Sequence, residues 1–156
     1  MRIKPTKMTT QILCKVVNER PQAYALIHGE NEIEGTAAFY DYDDKTLFLY
    51  QIENLPIGKE CEGGIFAFHI HSGESCEDPQ GHLNPDDCAH PYHLGDLPPL
   101  FASKGVGWGL LMIDKFIVED IIGKTLIIHH NPDDFKTQPS GNPGMIIACG
   151  EIKSLT

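Results

Sequence analysis

The histidines of this chain are not scattered. Of the eight, five fall in two tight groups, His69-Ile70-His71 and the run from His82 to Asp96 (HLNPDDCAHPYHLGD), and a sixth, His129, closes the segment TLIIH. In GIFAFHIHSG the alternation puts His69 and His71 on one side of a strand and Phe66, Phe68 and Ile70 on the other, because successive strand side chains point to opposite faces. Such a strand folds only where one face meets an apolar core and the other meets a polar site. Taken singly, each imidazole reads as a surface or satisfied core histidine. An H-x-H strand followed by H-x7-H-x2-H-x2-D is a metal-ligand pattern. His82, His90, His93 and Asp96 make a full tetrahedral set for zinc, and a copper site built mainly from imidazole suits the remaining histidines. A zinc-only structural knot would leave His69, His71 and His129 without work.

Around these residues the chain breaks into short runs of strand length separated by turn residues: 23–28, 35–42, 46–52, 64–71, 107–116, 125–129 and 145–152. Several have period two, as in TAAFYDY and TLFLYQI, with Asp43-Asp44-Lys45 as a hairpin-like connection between them. No long stretch shows a convincing 3.6-residue period, although 116–122 (FIVEDII) can form one or two helical turns. The expectation is an all-β fold, a Greek-key β-sandwich or flattened eight-stranded barrel. Two long connections, 72 to about 106 and 130–144, interrupt the pattern. Connections of this length without their own structure are usually functional, and eight prolines stiffen them by lowering the entropy lost on ordering. Residues 1–21 read as an N-terminal extension, compatible with a small extra strand, a dimer arm or disorder, and 22–156 as one domain.

A formal charge of −10 argues against nucleic-acid and anionic-membrane partners. No apolar run approaches the roughly 20 residues of a membrane helix. In MRIKPTKMTTQILCKVV the apolar pieces are interrupted by Lys15 and fall short of the about 7 to 15 residues of a signal-peptide core, so the reading is a cytoplasmic protein. Five cysteines leave at least one thiol free if the rest pair. Cys14, Cys61 and Cys88 read by default as small, partly buried residues, with Cys88, between His82 and His90, a competing soft ligand for zinc.

The segments FAFHIHSGESC, GHLNP, HPYHLGDLPPL, IIGKTLIIHHNPDDF and SGNPGMIIACGEI, in that order, resemble the copper-zinc superoxide dismutases across about residues 22 to 153. The resemblance implies copper ligation by His69, His71, His82 and His129, and zinc ligation by His82, His90, His93 and Asp96. His82 would then bridge the two metals. It further implies that Asp133 orients one copper and one zinc histidine, that Cys76 and Cys149 form a disulfide, and that the substrate is superoxide. It leaves a homodimer open.

Periodicity decides between His129 and its neighbour: in KTLIIHH, Leu126 and Ile128 share one face and Thr125, Ile127 and His129 the other, more polar one. His130 is then the surface residue. One departure from the family matters. Where relatives carry an arginine two residues after the glycine of their G-N-x-G motif, this chain has Ile146, flanked by Met145 and Ile147, and Lys136 is the only basic residue in 131–144. Three functions follow: a dismutase with reduced electrostatic guidance, a copper- and zinc-binding relative with little dismutase activity that buffers or passes metal, and a structural zinc protein.

Overall fold

A computed structural model describes residues 4–60 and 62–155; Cys61 lies outside the described residues. Nine strands form one antiparallel sheet: β1 (Ala23–Gly29), β2 (Glu34–Tyr42), β3 (Lys45–Glu53), β4 (Ile65–Phe66), β5 (Phe68–His71), β6 (Leu100–Ser103), β7 (Val106–Ile113), β8 (Thr125–His129) and β9 (Ile146–Ser154). Their order is β4-β6-β7-β3-β2-β1-β9-β8-β5. The two ends of that order, β4 and β5, are separated in sequence only by Ala67, so the sheet curls into a nearly closed barrel.

Nine strands stand among the described residues where eight are expected, because one of the seven strand-length runs divides and one further strand, β6, forms. The sequence reads 64–71 as one strand, but the chain changes partner at Ala67, from β6 before it to β8 after it. Ala67 itself donates to Asn131 O at 2.8 Å and accepts from His129 N at 2.9 Å. A second correction concerns the first long connection, which ends before Leu100 rather than near residue 106. The pair Lys104-Gly105 has φ of 51° and 81°, the positive values that a tight two-residue hairpin needs, and it joins β6 to β7. A short helix α2 (Val118–Ile121) occupies the segment FIVEDII, as its spacing allows.

Over its described part the N-terminal segment is neither a strand nor disordered, since Lys7–Asn18 is a helix, α1. Thr6 Oγ1 caps it by accepting from Thr9 N at 3.1 Å, and Glu19-Arg20-Pro21 ends it, because the residue before a proline avoids the helical region. Met8, Ile12 and Val16 are spaced by four, a periodicity too short to stand out in an otherwise polar lead. No residue of α1 is buried, so this helix contributes little to the core.

The core is aromatic at its centre. Phe39 and Phe48 face each other across β2 and β3 and stack at 4.8 Å with 3° between the rings. Phe48 also meets Phe68 at 5.5 Å, and Tyr50 meets Phe68 edge-on at 5.4 Å. Phe68 and Ile70, both fully buried, thus fix the inner face of β5, and the opposite face of the same strand presents His69 and His71. Truncating Phe48 to Ala removes the ring that touches Phe39, Tyr50 and Phe68 and should cost about 3–5 kcal/mol in unfolding free energy. Denaturant titration of the disulfide-intact chain measures this; a loss below about 1 kcal/mol would show that the ring is not the packing centre.

Candidate metal centre

Strand β5 ends the sheet, and its outer edge is covered by the connection that follows it. Ile70 N donates to Gly95 O at 2.8 Å, and Leu83 N donates to Ile70 O at 2.8 Å. These bonds place Asp96 opposite His69 and His82 opposite His71 as isolated bridges. Gly95 is needed here: a Cβ on it would sit 2.1 Å from Ile70 O. His129 arrives from the end of β8, on the face shared with Thr125 and Ile127, whereas Leu126 and Ile128 join the hydrophobic core. His130 is exposed and bonds its neighbour Asn131.

The result is two groups of side chains with one member in common. In each of the sets His69, His71, His82, His129 and His82, His90, His93, Asp96, one nitrogen or oxygen per residue lies within 4.8 Å of all the others. All of them are buried except His82, which is partly so. Cys88, the alternative soft ligand, is exposed and belongs to neither group.

Outer partners fix which ring atom points inward. His71 Nδ1 donates to Gln80 O at 2.7 Å and His129 Nδ1 to Gly144 O at 3.0 Å, so both Nε2 lone pairs face the centre. Asp133 accepts from His69 Nε2 at 2.7 Å and from His90 Nε2 at 2.9 Å, turning both Nδ1 atoms inward. A carboxylate shared in this way sets tautomer and ring orientation together. Gly141, at φ +75°, leaves room for it, because a Cβ there would lie 2.1 Å from Asp133 Oδ1. Gln138 adds a clamp that sequence reading did not identify, its amide accepting from His90 N at 3.0 Å and donating to His90 O at 2.8 Å. Nothing in PSG or its neighbours marks that glutamine.

The inward atoms fit metal ions. His69 Nδ1, His82 Nε2 and His90 Nδ1 are buried with no hydrogen-bond partner, a condition native structures avoid unless something else satisfies the atom. His90 Nδ1 does lie 3.1 Å from Asp96 Oδ2, but without the alignment of a hydrogen bond. A tetrahedral ion with bonds of about 2.0–2.1 Å separates its ligand atoms by roughly 3.3 Å. His82 Nδ1 and His93 Nδ1 are 3.3 Å apart, and His71 Nε2 and His129 Nε2 3.4 Å.

Electrostatics favour the same state. Burial lowers His69 to about 3, reinforced by the neighbouring His82, and lowers His71 to about 4; His129 is also lowered, chiefly by burial. These imidazoles are therefore neutral and able to ligate. Asp96 is raised by burial but carried down to about 2 by its hydrogen bond from His82 and the charges of His82, His90 and His93.

A disulfide joins Cys76, in the long connection, to Cys149 of β9, at a sequence separation of 73. Cys14 and Cys88 are free and exposed. A cavity of about 530 Å³ opens onto His71, His82 and His129 beside Asn142 and Gly144, and among the described residues no lysine or arginine lines it.

The sequence profile of the family described as copper/zinc superoxide dismutase matches residues 33–152. The chain belongs to the copper/zinc superoxide dismutase family. It is 30% identical over 148 residues to a protein of Aquifex aeolicus named superoxide dismutase [Cu-Zn] 2, covering 82% of this chain and 84% of that one. It is 29% identical to the superoxide dismutase-like protein YojM of Bacillus subtilis, over 81% of this chain and 73% of the relative. A similar 29% relates it to the mouse copper chaperone for superoxide dismutase, over 83% of this chain and 52% of the chaperone. The family members it resembles therefore differ in their named roles.

The depressed histidines make the metal-free chain acid-sensitive. His69 and His71 bind protons near 6.5 when unfolded and only near 3 and 4 when folded, so the unfolded state holds more protons between these values. Stability rises with pH there. The unfolding free energy of the metal-free chain should be complete above about pH 6.5 and should fall as pH drops from 6.5 toward 4. Urea titrations across that range give the slope, and a flat profile would mean that the buried imidazoles are solvated in the absence of metal.

Proposed function

We propose that the chain is a superoxide dismutase that binds copper through His69, His71, His82 and His129 and zinc through His82, His90, His93 and Asp96, with His82 shared. The observation that carries this reading is the pair of four-residue groups meeting at one shared imidazole, His82, each with its unpartnered nitrogens turned inward. Copper, when bound, supplies the one-electron chemistry that takes an electron from one superoxide and gives it to a second, with two protons completing hydrogen peroxide and the first superoxide leaving as oxygen.

The residues of the chain do the rest. His71 and His129 line the cavity floor where a small anion enters, and their backbone-bound Nδ1 atoms hold them in place. His82, with a nitrogen on each side, is positioned to carry a proton between the centre and the cavity. Zinc would do no redox work; His90, His93 and Asp96 would hold it against His82 and fix the ring.

Replacing Asp96 by Ala should remove zinc and weaken copper through the common His82, as measured by metal analysis after loading with both ions; unchanged zinc content would refute the assignment. His129→Ala should lose copper and keep zinc, and His130→Ala should keep both. Direct superoxide decay by the fully loaded chain tests the activity itself.

A second reading, a metal-binding relative with little dismutase activity, is favoured by one feature. Ile146 stands where the resemblance places the guiding arginine of relatives, it pairs with His129 across β8 and β9, and among the described residues the cavity has no lysine or arginine in its lining. A unit charge about 5 Å from the anion, at an effective dielectric of about 20 to 40, is worth about 1.5 to 3 kcal/mol, or roughly ten- to a hundredfold in rate. Ile146→Arg should therefore raise the second-order rate constant at matched copper occupancy, with a gain that shrinks as salt screens the charge. No change at low salt would point to metal storage or transfer rather than dismutation.

A further inference from the structure

Lys115 follows β7 and precedes α2, outside both ligand groups, yet it reaches into the loop that carries the zinc set. Its ammonium donates to three main-chain carbonyls of that loop, Asp96 O at 3.0 Å, His93 O at 3.1 Å and Pro91 O at 3.4 Å. An ammonium has three donors, so these carbonyls use all of them. We propose that Lys115 is a positioning residue for the zinc half of the centre, holding residues 91–96 in the metal-binding conformation before the ion arrives. The inference rests on the zinc assignment above and adds the group that preorganises it.

The geometry separates the two sides of the segment. Its carbonyls 91, 93 and 96 converge on Lys115, while the side chains of His90, His93 and Asp96 converge on His82. The remaining supports act elsewhere: Gln138 and Asp133 hold His90, and Leu83 holds Gly95. Among the described residues the His93 main chain is fixed by Asp96 and Lys115, through His93 N to Asp96 Oδ2 at 3.0 Å, Asp96 N to His93 O at 3.3 Å and the lysine bond. Asp96 is also tied to His82 through its side chain, so without the lysine the His93 main chain would be held by Asp96 alone.

Coulomb's law and positioning make opposite predictions for this residue. A positive charge beside a cation site repels the ion, so removing it should tighten binding if charge dominated. If Lys115 acts by ordering the loop, removal should weaken binding, by the ten- to hundredfold typical of lost outer supports.

The test uses the full chain, stripped of metal and titrated with zinc against a chromophoric chelator, with cobalt(II) absorption as a second report on ligand geometry. Lys115→Met should raise the zinc Kd about tenfold or more and distort the cobalt spectrum, and Lys115→Arg, which keeps charge and donors, should restore most of the loss. Hydrogen exchange of the metal-free chain should show faster exchange at the Gly95 and Asp96 amides in the Met variant. Zinc binding by Lys115→Met that is unchanged or tighter overturns the proposal, and so does unaltered exchange at those two amides. A wild-type chain that takes up no zinc sinks the metal assignment itself, a result distinct from a wild type that binds and a Met variant that matches it. Lys115 is largely exposed, and circular dichroism with the Cys76–Cys149 bond intact verifies the fold of each variant.

Discussion

Two hydrogen bonds on Ile70 organise the centre. The residue lies on the last strand of the sheet, where a free edge would expose unpaired main-chain groups, and both its N–H and its C=O are taken by the following loop, at Gly95 and Leu83. Because strand side chains alternate, Ile70 turned into the core puts His69 and His71 outward. Because the loop lies against that same edge, His82 and Asp96 come to rest beside them. One edge pairing therefore joins a loop and a strand into a single ligand set, and the core behind Ile70 and Phe68 keeps the strand from shifting register, which would exchange the two faces.

Burying so much imidazole has an electrostatic consequence. A histidine removed from water is disfavoured in its charged form, and at His69 and His71 repulsion from His82 and His129 acts in the same direction. The cluster is poor at holding protons and good at holding cations that accept lone pairs. Asp133 and Asp96 supply the negative charge that balances such ions. Asp133 does so at one remove, through the far nitrogens of His69 and His90, while Asp96 lies among the ligand atoms themselves.

How much of this could be read from the sequence varied with the range of the interaction concerned. The strand alternation that separates His69 and His71 from Phe68 and Ile70, and the facing of His129 against His130, are local: the structure buries Phe68 and Ile70 in the core and places His129 in the buried histidine group with His130 exposed. The pairing of Cys76 with Cys149 was legible only through resemblance, since spacing does not define a partner. The break at Ala67 depends on a change of strand partner between β6 and β8, which no period in 64–71 announces. Strand β6 was absorbed into a long loop because four residues give too little alternation, although Lys104-Gly105 carries a turn signal. Helix α1 went unread for the opposite reason: its i, i+4 apolar spacing is present, but the helix has little tertiary burial to make that spacing strong. Gln138 and Lys115 have no sequence signature at all, because both act on main-chain atoms of residues far away along the chain.

The same division bears on what the centre can do. Every interaction that shapes the ligand set is satisfied within the chain: edge pairing at Ile70, ring orientation through Gln80, Gly144 and Asp133, and a disulfide. Closing a loop of this size restricts the unfolded chain by about 4 kcal/mol in the entropic treatment, and it does so where Cys76 anchors the metal loop to β9. The cavity above the set is treated differently. Among the described residues its lining, which includes Asn84, Ser140, Asn142 and Gly144, brings polar atoms but no lysine or arginine, and the chain as a whole carries a formal charge of −10. A long-range field of that sign slows the approach of an anion, whereas the buried side chains feel mainly their immediate neighbours. The two ligand groups and the cavity above them are thus shaped by separate parts of the molecule, and the supporting hydrogen bonds are concentrated on the first.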